Sequence, residues 1–105
     1  MTADHNHSAG NGPVLLDIGG EFGALIVTMP TTMAGAEVEI CPSGEPRAAA
    51  PREHVGVHAR PGGALTAVFP SVRRGVYELY RKPDGPIELV ATVNGGLVTE
   101  ADWPS

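Results

Sequence analysis

The chain has 105 residues, of which 42% are apolar, 14 are glycine, 10 are proline and one is cysteine. This length allows one small domain and excludes large catalytic frameworks such as the α/β barrels of about 250 residues. A net charge of −5 and only five aromatic residues argue against nucleic-acid binding, and no apolar run approaches the roughly 18 residues of a membrane-spanning helix.

The sequence pattern predicts an N-terminal tail followed by a series of strands. Residues 1–12 are polar, without periodicity, and are expected to form a flexible N-terminal tail ahead of one domain at 13–105. From Val14 onward, short β-type runs alternate with glycine and proline, and no stretch favours a helix. The predicted strands are 14–18, 24–29, 36–41, 53–59, 64–69, 75–81, 87–93 and 97–102. The sequence therefore predicts an all-β fold, a single antiparallel β-sandwich of seven or eight strands.

Alternation along these strands distinguishes an inward face from an outward face, because successive side chains of a strand point in opposite directions. Residues 24–29 are apolar on both faces, as in a central strand. The positions predicted to face the core are Ala36, Val38, Ile40, Val55, Val57, Leu65, Ala67, Phe69, Tyr77, Leu79, Ile87, Leu89, Ala91 and Val93. The positions predicted on the opposite face are Glu37, Glu39, Cys41, His54, Gly56, His58, Val76, Glu78 and Tyr80.

Three connections have distinct signals. Residues 42–52 form the longest loop, for which we expect no fixed secondary structure. Residues 82–86, Lys-Pro-Asp-Gly-Pro, predict a tight turn. Asn94-Gly95 is a strong hairpin signal between the last two strands.

The stretch Val72-Arg73-Arg74-Gly75-Val76-Tyr77-Glu78-Leu79 resembles the Leu-x-x-Gly-x-Tyr-x-Leu segment of prealbumin-like β-sandwiches. That group includes carboxypeptidase regulatory-like domains and the B-type repeats of collagen adhesins. The resemblance implies a prealbumin/immunoglobulin-like sandwich in which the tyrosine ring is buried and its hydroxyl bonds the preceding corner. It also implies a binding, spacer or assembly module.

The resemblance does not extend to the chemistry of two of its relatives. Transthyretin-like hydroxyisourate hydrolases end in Tyr-Arg-Gly-Ser, whereas this chain ends in Asp-Trp-Pro-Ser at 102–105. The single lysine, Lys82, falls in a predicted turn, so we expect no intramolecular isopeptide bond of the adhesin type. No catalytic residue is transferred from either family.

The remaining signals for catalysis are weak. The glycine-rich stretch 16–23 precedes a strand, whereas a phosphate-binding loop precedes a helix, so we expect a tight turn there. Cys41 lies near Glu39 and Glu45, which disfavour a reactive thiolate. We therefore expect neither enzymatic activity nor a cofactor. A single cysteine and no apolar leader favour a cytoplasmic location.

The charges are unevenly distributed along the chain. Residues 1–46 carry six acids and no lysine or arginine, residues 47–82 carry all seven bases, and residues 83–105 carry four acids. The basic segment indicates either a surface for an anionic partner or cations solvated at strand ends and turns, and we favour the second interpretation.

Histidines offer a possible metal site. His5 and His7 lie in the predicted tail. His54 and His58 share one face of a predicted strand but are separated by roughly 13 Å, too far to bind one ion together. A metal site would need Glu37, Glu39 or Cys41 from a neighbouring strand to pair with one of the two histidines. A metal- or small-ligand-binding module that uses His54, His58, Glu37 and Glu39 is therefore the alternative function.

The leading hypothesis is a non-catalytic module for protein–protein interaction or assembly, with another protein or a second copy of the chain as partner and neither nucleic acid nor membrane. Its contact surface would lie on the outward side of residues 75–81. The side chains predicted to contribute are Arg73, Arg74, Glu78, Tyr80 and Trp103. Two interpretations of Trp103 stay open, an anchor at an interface or a ring that folds back over a sandwich edge.

Overall fold

The computed structural model describes residues 14–105, and these residues form eight strands without an α-helix. The strands are β1 (Phe22–Thr28), β2 (Glu37–Pro42), β3 (His54–Gly56), β4 (His58–Ala59), β5 (Leu65–Arg73), β6 (Gly75–Arg81), β7 (Ile87–Val93) and β8 (Val98–Asp102). Two short 3-10 turns lie at Thr31–Met33 and Arg47–Ala49. The predicted all-β class is confirmed. In this part of the chain, no helix has the length and apolar character to cross a membrane.

The strands form two four-stranded sheets. Sheet A has the order β4-β5-β1-β8, and sheet B has the order β3-β2-β6-β7. Neighbouring strands are antiparallel except for β1 and β8, which are parallel. Buried residues from both sheets make one core cluster, including Leu25, Val27, Phe69, Val38 and Leu79. Strand β1 lies between β5 and β8 inside its sheet, the central position that its sequence predicts.

The predicted strand at 53–59 is divided between the two sheets. β3 pairs with β2 in sheet B, whereas β4 pairs with β5 in sheet A. Val57 lies between them and is buried, and its backbone nitrogen donates to the Ala36 carbonyl over 2.9 Å. The chain therefore passes from one sheet to the other at Val57.

The prediction of a hairpin at Asn94-Gly95 is wrong, because β7 belongs to sheet B whereas β8 pairs with β1 in sheet A. Two glycines account for this path. A Cβ on Gly23 would lie 2.2 Å from the Asn94 carbonyl oxygen, and a Cβ on Gly95 would lie 2.2 Å from the Gly20 carbonyl oxygen. This close backbone packing brings the turn against the start of β1, where Ala24 donates to the Leu97 carbonyl.

The first predicted strand, 14–18, is also absent. Its apolar residues do not reach the core, and Leu15 is 93% exposed. The Asp17 amide donates to the Pro70 carbonyl, but no strand pairing forms along the segment. The segment thus lies beside β5 but makes only one backbone hydrogen bond with it, so the short apolar run does not form a strand.

The corner before β6 has the expected tyrosine contact. The Tyr77 hydroxyl donates to the Arg73 carbonyl oxygen over 2.6 Å, and the Tyr77 side chain packs against the core. Gly75, between them, has a φ of 155°, a backbone conformation that residues with a Cβ rarely adopt. Burial is the main reason that the pKa of Tyr77 is raised, and the Glu53 charge adds to it.

Candidate interaction surface

The outer face of sheet B consists of side chains from β2, β6 and β7 arranged in rows. Cys41 is opposite Glu78, which is opposite Val90 on the next strand. Residues directly opposite each other in paired strands project to the same face. The three side chains therefore form one row across the sheet.

A neighbouring row contains Glu39, Tyr80 and Ile87. Ile87 was predicted to face the core, yet it is 49% exposed. The pairing of β6 with β7 shifts between Leu79 and Tyr80, where β7 has an extra residue. Such a bulge reverses the alternation of faces between the residues on its two sides, here Leu89 and Ile87. Ile87 therefore lies on the outer face with Tyr80.

The expectation that Tyr80 is an exposed anchor is wrong, because its side chain is fully buried. Its hydroxyl donates to the Glu39 carboxylate. The guanidinium carbon of Arg47 lies 3.5 Å from the centroid of its ring, in a cation–π contact. Burial and the Glu39 carboxylate raise the pKa of Tyr80. Tyr80 is thus a covered, neutral side chain.

Residues 43–53, the connection between β2 and β3, form this cover. Arg52 holds the connection together through backbone carbonyls, with its Nε donating to Arg47 over 3.3 Å and its Nη2 donating to Pro46 over 2.7 Å. Arg52 also pairs with Glu45 at 3.4 Å. We call residues 43–53 the covering loop.

Cys41 lies under the same loop. Its thiol is fully buried and lies 3.4 Å from the Glu45 carbonyl oxygen and 3.5 Å from the Pro42 carbonyl oxygen. Strand alternation places Cys41 on the outer face as expected, but the covering loop removes it from solvent.

The other half of the outer face is open to solvent. Val76 is 46% exposed, Ile87 is 49% exposed and Val90 is 57% exposed. Glu78 lies between the two valines, half-buried, and Thr92 is exposed opposite Val76. We call these five residues the β6–β7 surface. Val90 occupies an outward position of an alternating apolar strand, and this is the sequence signal that could have predicted the surface.

Strand β7 is also an edge of sheet B. The Val76 carbonyl accepts a hydrogen bond from Ser43, on the side of β2. Thr92, opposite Val76, therefore directs its backbone groups away from β6, and its carbonyl accepts the Thr99 hydroxyl over 2.9 Å. Alternation gives Val90 the same direction, so its amide and carbonyl face the free edge.

Trp103 is buried in the core cluster just after β8. Its backbone nitrogen donates to the Thr28 carbonyl over 2.8 Å, which continues the pairing of β8 with β1. Of the two interpretations of Trp103, the burial of the ring contradicts an exposed anchor, and the ring lies in the core cluster instead of only covering an edge.

The two arginines predicted for the surface differ in their contacts. Arg73 pairs with the Glu21 carboxylate, and its guanidinium carbon lies 5.3 Å from the centroid of the Phe22 ring. Arg74 is exposed, and its backbone nitrogen donates to the Glu21 carbonyl. Arg73 and the two arginines of the covering loop thus contact their own chain, whereas the sequence predicted cations that are only solvated at strand ends and turns.

The predicted metal ligands are only partly brought together. His54 Nε2 lies 3.9 Å from the Glu37 carboxylate, whereas Glu39 is engaged by the Tyr80 hydroxyl. His58 lies on β4 in the other sheet. Residues 14–105 contain no group of three or more histidine, cysteine, aspartate or glutamate side chains that could hold a metal ion. His5 and His7 lie outside the described residues.

A cleft of about 240 Å³ lies beside the covering loop, at the end of β2 and the start of β6. Phe22, Pro42, Tyr77, Pro51 and Glu53 are among its lining residues. Burial raises the pKa of the Glu53 carboxyl. Both apolar and charged side chains line it, and the sequence contains no signal for it because residues far apart in the chain contribute.

Comparisons with protein-family models, curated proteins and solved structures give no match. The functional proposal therefore depends on the geometry of this chain.

Proposed function

We propose that the protein is a non-catalytic module for protein–protein interaction or assembly and that it binds its partner through the β6–β7 surface. The observation that carries the proposal is the exposure of Val76, Ile87 and Val90 on one face of an edge strand pair. Grouped apolar side chains at the surface of a small domain are a common feature of binding sites.

The contrast within sheet B supports this choice of surface. The chain covers Tyr80 and Cys41 with a loop, yet it leaves the apolar residues of β6 and β7 in water. Hydrophobic burial would favour covering both halves. A partner that covers the open half would remove these apolar side chains from water, and this burial would stabilise the complex.

The proposed fold type is a β-sandwich of the prealbumin/immunoglobulin-like kind. Two four-stranded sheets around one core cluster support it, as does the Tyr77 hydroxyl bonded to the corner before its strand. The parallel pairing of β1 with β8 is an additional feature of this chain. We also propose a cytoplasmic location, which suits the buried free thiol of Cys41.

Native mass spectrometry of the untagged protein purified from its own cells tests the function. We expect a complex of fixed stoichiometry that is lost in Val90→Lys. Thr32→Lys is the matched control, since it adds the same charge at an exposed position of the Thr31–Met33 turn. A bare monomer of 10.9 kDa in all three samples would contradict the proposal.

A further inference from the structure

The four sheet edges in the described part of the chain differ in how well they are protected. β3 has three residues and β4 has two, and the chain runs directly from one to the other. β8 has five residues, two of which are the acids Glu100 and Asp102. β7 has seven residues and a single charge, Glu88. Short length, frequent charge and bulges are usual protections of an edge. β7 is neither short nor frequently charged, and its one bulge lies at its start, between Ile87 and Leu89, ahead of Val90 and Thr92.

The free backbone groups of β7 lie beside its exposed side chains. Val90 directs its amide and carbonyl to the edge, and its side chain is the most exposed of the three apolar ones on the β6–β7 surface. Thr92 has the same direction, with its carbonyl already taking one hydrogen bond from Thr99. An added strand could thus gain backbone hydrogen bonds and apolar contact together.

We propose that the partner at this edge is a second copy of the chain, with the two β7 strands paired antiparallel about a two-fold axis. This inference rests on the proposed function and names the partner for the same surface. Sheet B becomes a continuous eight-stranded sheet across the dimer, and the valine surfaces of the two copies adjoin. A two-fold contact of this kind closes on itself, so it does not extend into filaments.

The charge pattern of β7 is compatible with pairing with itself. An axis at Val90 places Glu88 of one copy opposite Thr92 of the other, and an axis at Ala91 places Glu88 opposite Asn94. Neither alignment brings two acids directly opposite each other, which would be destabilising. Both alignments bring the two Val90 side chains within reach of each other, either directly or diagonally.

A charge-swap pair tests the dimer with purified chain alone. We expect the wild type to form a concentration-dependent dimer in sedimentation velocity. Val90→Lys and Val90→Glu should each raise the dimer dissociation constant at least tenfold, because like charges meet near the axis. An equimolar mixture of the two variants should dimerise again, since opposite charges then meet.

Val90→Pro provides a second variant that acts on the backbone. The Val90 amide faces the edge, so proline there removes a donor for the second copy and leaves the bonds between β6 and β7 in place. We expect a monomer whose far-ultraviolet circular dichroism matches the wild type. Thr32→Lys should dimerise like the wild type.

The outcomes separate the partner from the function. A purified chain that stays monomeric, or variants that fail to restore each other on mixing, would overturn the second copy as partner. If the complex from cells then contains another protein and is still lost in Val90→Lys, the proposed function stands. If neither the purified chain nor the protein from its own cells forms a complex, both proposals fail.

Discussion

The two halves of the outer face of sheet B have similar strand patterns but different surroundings. On the β2–β6 half, the covering loop buries Tyr80 and Cys41. On the β6–β7 half, Val76 and Val90 stay exposed. The connections explain the difference, since residues 43–53 are long enough to fold back over the face, whereas residues 82–86 only make a turn. Exposure on a strand thus depends on the loop above it as much as on alternation.

The largest expected loss of stability comes from truncating the Tyr80 side chain on the covered half. Tyr80→Ala should lower the free energy of unfolding by about 3 kcal/mol, because it removes a fully buried aromatic side chain. Val90→Ala should change the same quantity by less than about 0.5 kcal/mol, since Val90 is mainly in solvent. Urea denaturation of both variants measures the contrast. Equal losses would show that the two halves do not differ as described.

The raised pKa of the Tyr80 hydroxyl should make the free energy of unfolding fall at alkaline pH. Its pKa is raised in the folded state, so the unfolded chain releases this proton first as the pH rises past about 10. The stabilisation is therefore complete below pH 10 and is lost above it. Tyr80→Phe should flatten the decline of stability between pH 10 and 11, measured by urea denaturation at each pH. Part of the decline should remain, because the pKa of Tyr77 is raised as well.

Loosening the covering loop should uncover the thiol. Arg52→Ala removes the hydrogen bonds to the Arg47 and Pro46 carbonyls, so the loop should open more often. We expect Cys41 to react with a thiol reagent about tenfold faster under native conditions, which corresponds to about 1.4 kcal/mol of lost loop stability. Arg74→Ala is the matched control and should react at the wild-type rate. An unchanged rate in Arg52→Ala would mean that the loop does not shield Cys41.

The smallest effect on stability is expected on the open half. Val90→Lys should leave the free energy of unfolding of the monomer within about 0.5 kcal/mol of the wild type. Thermal unfolding at a concentration below association measures it. A large loss of stability would show that Val90 supports the fold, which would remove the reason to assign it to binding.

Sequence reasoning predicted the fold better than the surface. Alternation correctly predicted buried Val38, Ile40 and Leu79, because inward positions depend on strand periodicity and an apolar core. It failed for the exposure of Tyr80, since a loop distant along the chain covers this ring. The local sequence pattern contains no information about packing between segments that are distant along the chain.

A turn and a bulge show the same limit. Asn94-Gly95 has the composition of a hairpin turn, but contacts with Gly20 and Gly23 direct β8 to the other sheet. At Ile87, one extra residue in the pairing of β7 reversed the expected face. The sequence does not decide between the two interpretations of Trp103, because this residue lies outside the alternating pattern of the strands.

Hydrogen exchange of the complex purified from cells tests the central claim most directly, namely that binding takes place on the open half of sheet B. The exchange of residues 87–93 and of residues 43–53 is compared between the complex and the dissociated chain. We predict that exchange slows in 87–93 and stays the same in 43–53. Slower exchange confined to 43–53, or no change in either segment, would contradict the assignment of binding to the β6–β7 surface.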